Sequence, residues 1–167
     1  MYTPFRRVAL AVAAATLLLV AACGGTTSAT TTTMSDDSTS SEFAFGEPAE
    51  PADADRTIEI TASDDLTFNP SDVSVTPGET ITFRVINEGE IPHDFTLGDE
   101  ATQNEHEEVM AEMDGMTMPD EPNAIQVAAG ETRELTWRFM EDGVVLIGCH
   151  QPGHYSAGMR GQVTVGS

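Results

Sequence analysis

The stretch that decides the fold reads GVVLIGCHQPGHYSAGM and covers residues 143–159. It opens with a continuously apolar run, Gly143–Gly148, which predicts a central β-strand that is covered on both faces. In the loop that follows, Cys149, His154 and Met159 are each separated by four residues. A thiolate, an imidazole and a thioether at the end of one strand are metal-binding groups, so this loop is the candidate site.

Apolar residues on both sides of this stretch alternate with polar ones at the period of two that is typical of half-buried strands. The alternating segments contain Ile58 and Ile60, Val73 and Val75, Ile81 with Phe83 and Val85, Phe95 and Leu97, Ile125 and Val127, and Leu135 with Trp137 and Phe139. Turn-forming pairs such as Pro77-Gly78 and Asp142-Gly143 separate them. The pattern predicts an all-β fold, a β-sandwich of seven or eight short strands. One short helix is predicted over Thr102–Asp114, inserted between two strands, because apolar residues recur there at helical spacing.

The loop lacks one ligand for a blue-copper site, in which a thiolate and two imidazoles surround the metal and a methionine binds weakly along the axis. His93 is the candidate, since it begins the strand that follows the Asn87-Glu88-Gly89 turn. Protein side chains would then fill every coordination position. A catalytic metal needs an open position, so we expect no enzymatic activity from the chain by itself.

These residues give the chain a resemblance to the cupredoxins, the family of plastocyanin, azurin and their bacterial relatives. The resemblance runs from Phe68-Asn69-Pro70 to Asn87 and His93, and then from Cys149 to Val165. It implies a single Greek-key β-sandwich that holds one type 1 copper ion. The ligands it implies are His93, Cys149, His154 and Met159.

The resemblance also implies the function, a one-electron carrier that works with redox partner proteins. An insertion over residues 99–123 most resembles small exported cupredoxins linked to copper tolerance, which would sequester copper or deliver it to copper-transfer partners. In that alternative the insertion holds a second Cu(I) site, formed by His106, Met110, Met113, Met116 and Met118. The other interpretation, which we favour, is that these methionines pack the inserted helix against the sandwich.

Two residues next to the ligands are expected to support the site. Asp94 follows His93 and His150 follows Cys149, so both side chains point away from the metal. Cupredoxins commonly join these two positions by a hydrogen bond, which predicts an Asp94–His150 pair. Two separately solvated side chains are the alternative. The resemblance places Asn87 in the same supporting layer.

The first 22 residues predict an export signal, because Arg6 and Arg7 precede an apolar run over Val8–Ala22. This run is shorter than the roughly 20 residues of a spanning helix. Small residues before Cys23 resemble a bacterial lipobox, which implies that Cys23 is lipid-modified and anchors the chain to the outer face of the cell membrane. A cleaved, soluble and exported protein is the alternative.

Residues 23–55 are predicted to form a disordered tether because they are rich in Thr, Ser, Pro and acidic residues. Within them, only Phe43 and Phe45 offer side chains that could dock. The folded domain is therefore expected over residues 56–167.

The charge of the chain restricts its partners. It has 28 acidic and 7 basic residues, a net charge of −21, and no basic patch that could neutralise phosphates, so we expect no nucleic-acid partner. Two cysteines are too few for a disulfide framework or a cysteine-rich zinc finger. The acidity favours a partner with a cationic face, although adaptation to a saline habitat explains it equally well. We expect a monomer.

Overall fold

The computed structural model describes residues 43–113 and 119–166. Within these residues, ten strands form two five-stranded sheets around one hydrophobic core. The strands are β1 Glu47–Pro48, β2 Arg56–Ser63, β3 Thr67–Asn69, β4 Asp72–Val75, β5 Thr80–Asn87, β6 His93–Gly98, β7 Ala124–Val127, β8 Thr132–Arg138, β9 Gly143–Gly148 and β10 Arg160–Val165. Helix α1, Glu100–Glu112, lies between β6 and β7, and the short helix α2, His154–Ala157, lies between β9 and β10. The predicted all-β sandwich is confirmed, with ten strands where the sequence predicted seven or eight.

The first sheet has the strand order β1-β8-β5-β2-β3, and the second has the order β4-β10-β9-β6-β7. Strand β9 is central, as predicted, with β10 on one side and β6 on the other. Its two faces are not both covered over its whole length, because Val144 is 54% exposed. The face of β9 that carries Val144 is covered only near Gly148, where α1 contacts the strand.

Two short strands, β1 and β3, are absent from the predicted set, because two or three residues are too few to show an alternation. The predicted helix is present as α1, and it begins two residues earlier than expected. Asp99 caps it by accepting a hydrogen bond from the main-chain nitrogen of Thr102, which satisfies one of the free N–H groups at the helix start.

Aromatic residues fill the centre of the sandwich. Phe83 of β5 and Phe95 of β6 come from different sheets, and their ring centroids lie 5.3 Å apart. Phe68 and Phe139 complete the cluster in edge-to-face contacts with Phe95 and Phe83. Because β6 and β9 belong to the sheet that carries the candidate ligands, this packing holds the site against a rigid support.

The C-terminal part of the predicted tether is folded and not disordered, because residues 43–55 are described and include strand β1. Strand β1 extends the first sheet by pairing with β8. Phe43 and Phe45 pack on the buried Trp137, with ring centroids 5.2 and 5.3 Å from its ring. The acidic, proline-containing composition of this segment predicts disorder, but these two aromatic side chains, the ones expected to be able to dock, bury apolar surface that opposes the entropy of the free chain.

The export signal, Cys23 and the tether up to residue 42 lie outside the described residues. Among the helices of the described part, none is long and apolar enough to span a membrane.

Candidate metal centre

Two antiparallel strands bring the first candidate ligands together. Thr96 of β6 pairs with Gly148 of β9, so the chain that continues into Cys149 runs beside the beginning of β6, where His93 lies. The distance between Cys149 Sγ and His93 Nδ1 is 3.8 Å. Both residues are fully buried.

The loop after β9 carries the other two candidate ligands, His154 and Met159, and folds back toward Cys149. Gly153 and Gly158, both with positive φ, flank helix α2 and allow the sharp turns on either side of it. The first residue of α2 is His154, whose Nδ1 lies 3.3 Å from Cys149 Sγ.

Met159, also fully buried, lies two residues after the end of α2. Its main-chain nitrogen donates to the carbonyl oxygen of His154, and its own carbonyl oxygen accepts from the main-chain nitrogen of Cys149. These two hydrogen bonds tie Met159 to two of the other candidate ligands.

The geometry of these groups fits a copper ion. One ligand atom from each of His93, Cys149 and His154 lies within 4.8 Å of the others, and no other group of this kind occurs among the described residues. A metal at about 2.0–2.3 Å from three ligands in a trigonal plane separates those ligands by about 3.5–4 Å. The two sulfur–nitrogen distances of 3.3 and 3.8 Å are close to that range.

Burial sets the protonation of these groups. It lowers the pKa of His93, and the neighbouring His154 lowers it further. Burial also lowers the pKa of His154, so both imidazoles favour the neutral, ligating form. By contrast, burial raises the pKa of the Cys149 thiol to about 12. A metal that binds here must therefore displace the thiol proton.

A hydrogen bond orients the sulfur, whereas the outer ring nitrogen of His93 has no such partner. The main-chain nitrogen of Asp94 donates to Cys149 Sγ at 3.3 Å. Nε2 of His93 is buried and has no hydrogen-bond partner, while the nearest carboxylate oxygen, from Asp64, lies at 3.8 Å. That separation is too long for a hydrogen bond.

Asn87 hydrogen-bonds the turn that precedes His93. Its Nδ2 donates to the carbonyl oxygens of Ile91 and Val127, at 2.7 and 3.0 Å, and its Oδ1 accepts from the main-chain nitrogen of Gly89. One buried side chain therefore joins the turn before His93 to strand β7.

The predicted Asp94–His150 pair is wrong. Asp94 Oδ1 accepts from Nε2 of Gln151 at 2.8 Å and from Nε2 of Gln126 at 3.4 Å. His150 instead contacts two residues of α1, Gln103 and Glu107. The prediction failed because the inserted helix supplies a contact to each ring nitrogen of His150.

Three of the five residues predicted for a second Cu(I) site, His106, Met110 and Met113, lie among the described residues. Met110 is buried against the domain, and Met113 is half-buried at the end of α1. Nε2 of His106 lies 3.2 Å from a carboxylate oxygen of Glu121. Met116 and Met118 lie outside the described residues.

Sequence reasoning missed Gln103, Glu107, Gln151 and Tyr155, which surround the residues next to the ligands. Gln103 is fully buried although it lies on a helix of largely polar sequence. No local pattern distinguishes it from the exposed residues beside it, since its partners are distant in the chain.

Comparison with known proteins places this site in a family. Residues 54–166 match the copper-binding proteins of the plastocyanin/azurin family. The chain is 38% identical over 150 residues to the copper-resistant cuproprotein CopI of Pseudomonas aeruginosa, an alignment that covers 73% of this chain and 82% of that protein. It is 40% identical over 121 residues to CopI of Rubrivivax gelatinosus, with 72% and 73% covered.

Among solved structures, the fold is similar to a dithionite-reduced auracyanin from the photosynthetic bacterium Roseiflexus castenholzii. The TM-score is 0.59 at 26% identity, and the alignment covers 68% of this chain and 99% of the auracyanin. The family match extends across both candidate ligand regions, from before His93 to beyond Met159. The chain therefore belongs to the plastocyanin/azurin family of copper-binding proteins.

Proposed function

We propose that the chain is a one-electron carrier whose type 1 copper ion is held by His93, Cys149, His154 and Met159. The observation that carries the proposal is the group of one sulfur and two imidazole nitrogens within 4.8 Å of one another. When bound, copper supplies the one-electron redox chemistry, and this donor set is the one that blue-copper sites use. The similar auracyanin, which was solved in a dithionite-reduced form, supports a redox role.

The surrounding protein would keep these ligands in place during electron transfer. His93, Cys149 and Met159 are each 0% exposed and are attached to the sheet or to one another by hydrogen bonds. Ligands held this firmly rearrange little when the charge of the metal changes, which favours rapid transfer. With the four protein ligands in place, no position remains for a substrate, and we propose no enzymatic activity.

His154 offers the route by which an electron would enter or leave. Its side chain is half-buried, whereas those of the other three proposed ligands are fully buried. Around it, Pro152, Gly153 and Ala157 are exposed, small or apolar, and without charge. A partner can therefore approach this edge closely without desolvating a charged group. The net charge of −21 favours a partner whose facing surface is cationic.

We also propose that the protein is exported, attached to the outer face of the cell membrane through a lipid on Cys23, and monomeric. The support is the apolar signal sequence and the small residues that precede the cysteine. Residues 24–42 lie between this cysteine and the first described residue, Phe43, and we propose that they act as a tether. Such a segment would let the copper edge reach partners at some distance from the bilayer.

Repeated reduction and oxidation of the copper-loaded Cys23→Ser chain, which cannot be lipidated, tests the carrier role. We expect one electron per chain in each cycle and full retention of copper over many cycles, because the ligands are buried and preorganised. Loss of copper after the first reduction would contradict electron carriage and favour copper handling.

Copper tolerance is the second candidate function, and similarity to the two copper-resistant cuproproteins favours it. In this role the chain would sequester or deliver copper, and His106, Met110 and Met113 would contribute to a second Cu(I) site together with Met116 and Met118. Titration with Cu(I) distinguishes the two roles. One equivalent per chain supports the carrier, whereas a second equivalent that is lost on changing Met110 and Met113 to Leu supports copper handling.

A further inference from the structure

Helix α1 reaches into the second sheet through one side chain. Gln103 is 0% exposed, and its Nε2 donates to the carbonyl oxygens of Thr96 in β6 and Leu146 in β9, at 3.1 and 3.2 Å. Both hydrogens of the amide are thereby used. The orientation of the amide follows from these two acceptors, and Oε1 must be the atom that faces the next partner.

That partner is His150, the residue directly after the proposed ligand Cys149. The distance from His150 Nε2 to Gln103 Oε1 is 2.7 Å, so the ring nitrogen donates to the amide oxygen. One helical turn further along α1, Oε2 of Glu107 lies 3.0 Å from His150 Nδ1. A single face of α1 therefore engages both ring nitrogens of His150.

Aromatic contacts hold the imidazole from other directions. The ring of Tyr155 lies 4.6 Å from that of His150, and the ring of His106 lies 5.6 Å away. The guanidinium of Arg160 lies 3.9 Å from the centroid of Tyr155 and keeps that ring in place. His150 is only 1% exposed, so it cannot turn without breaking several of these contacts.

The residue on the other side of Cys149 is fitted to the same helix. A Cβ atom added to Gly148 would overlap Oε1 of Gln103 and would lie 2.8 Å from His150 Nε2. The backbone before Cys149 and the side chain after it are therefore both shaped around Gln103.

We propose that α1 locks the loop that carries Cys149, and that Gln103 is a positioning residue that acts through His150, with Glu107 as the second contact. The lock holds the sulfur beside the Asp94 amide and the two histidines, so copper meets a preformed site and leaves it slowly. The inference rests on the proposed copper site. It gives the inserted helix a structural role that does not require the helix to bind metal.

The test compares copper release from four helix variants and the wild type. Each Cys23→Ser chain is loaded with Cu(II), and the decay of the thiolate-to-copper absorption is followed after a strong Cu(II) chelator is added in excess. Removing a residue that orients a metal ligand typically weakens metal binding by about 10- to 100-fold. We expect Gln103→Leu to release copper faster by about that factor and to shift the absorption band, because the sulfur is no longer held in one orientation.

Glu107 supplies the matched comparison, because its side chain is 36% exposed and its replacement leaves the core intact. We expect Glu107→Ala to release copper faster than the wild type. Glu107→Gln keeps a hydrogen-bonding group and should restore the wild-type rate. Glu108→Ala removes an exposed carboxylate from the same helix and should have no effect.

Loading of the wild-type chain is measured first, since that step tests the proposed copper site and only the comparison between variants tests the lock. A folded Gln103→Leu chain with the wild-type band and a release rate within about twofold of the wild type would overturn the proposal. If Gln103→Leu does not fold, Glu107→Ala decides, and a wild-type release rate in that variant overturns the proposal.

Discussion

Replacing Gly148 by alanine tests how closely the inserted helix fits the end of strand β9. The new methyl group would overlap Oε1 of Gln103 and would lie 2.8 Å from His150 and 2.9 Å from the ring of Tyr155. The φ angle of Gly148 is not positive, so alanine adds crowding without backbone strain. To make room, the Gln103 side chain must leave its buried position.

The size of the effect follows from the contacts that are lost. Overpacking a filled core costs about 1–3 kcal/mol. Each buried polar group that loses its partner costs about 1–3 kcal/mol more, and displacing Gln103 leaves two carbonyl groups and a ring nitrogen without theirs. Because local relaxation recovers part of this, we expect Gly148→Ala to lower the free energy of unfolding by about 3–6 kcal/mol. That is a large share of the about 5–15 kcal/mol typical of a domain.

Urea unfolding of the copper-free chain, followed by the fluorescence of its single tryptophan, measures this change. Gly166→Ala is the matched control, since its new methyl group meets nothing nearer than 3.8 Å. Combining Gly148→Ala with Gln103→Ala removes the atom that collides most severely, so the double variant should lose less stability than the sum of the two single changes. A Gly148→Ala chain within about 0.5 kcal/mol of the wild type would refute the fit described here.

Three further predictions concern other parts of the chain. Phe45→Ala should lower the free energy of unfolding by about 1–2 kcal/mol, because a half-buried aromatic contact is lost. The same change should shift the fluorescence emission of Trp137 to the red. An unchanged emission spectrum would show that the segment does not dock. The hydrogen bond from Arg56 holds the pKa of Glu79 below its usual 4.5, so Glu79 stabilises the fold above about pH 4.5 and loses this effect in acid. Glu79→Gln should therefore be less stable than the wild type at neutral pH in urea unfolding, and the difference should shrink below about pH 4, whereas an equal difference at both pH values would argue against this ion pair. Cys149 is buried with a pKa of about 12, so peptide mapping after iodoacetamide treatment at neutral pH should find it unmodified in the folded, copper-free chain and alkylated in urea.

The features that could be predicted from the sequence are those with a local signal. The alternation in β5 and β8 identifies strands because each carries enough residues to show a period of two. The loop from Cys149 to Met159 could be identified because three candidate ligands lie within a few residues of one another. His93 required the further argument that a strand start lies beside this loop, and the pairing of β6 with β9 places it there.

The features that could not be predicted depend on contacts between distant residues. Phe45 could be singled out as a side chain able to dock, but its partner Trp137 is 92 positions away and no local pattern identifies it. Gln103 and His150 are 47 positions apart, and their contact requires α1 to cross the end of β9. The family pattern suggested Asp94 as the partner of His150, but that pattern does not include this helix. The error therefore lies at the point where the insertion meets the common fold.

The most direct test of the central claim is a Cu(II) titration of the Cys23→Ser chain beside the same chain with Cys149→Ser, followed by visible absorption. We expect the chain with Cys149 to develop an intense thiolate-to-copper band that reaches its maximum at one equivalent of copper and is bleached reversibly by reductant. The Cys149→Ser variant should show no such band. A chain without such a band, or a band that survives the loss of Cys149, would contradict the proposed copper site.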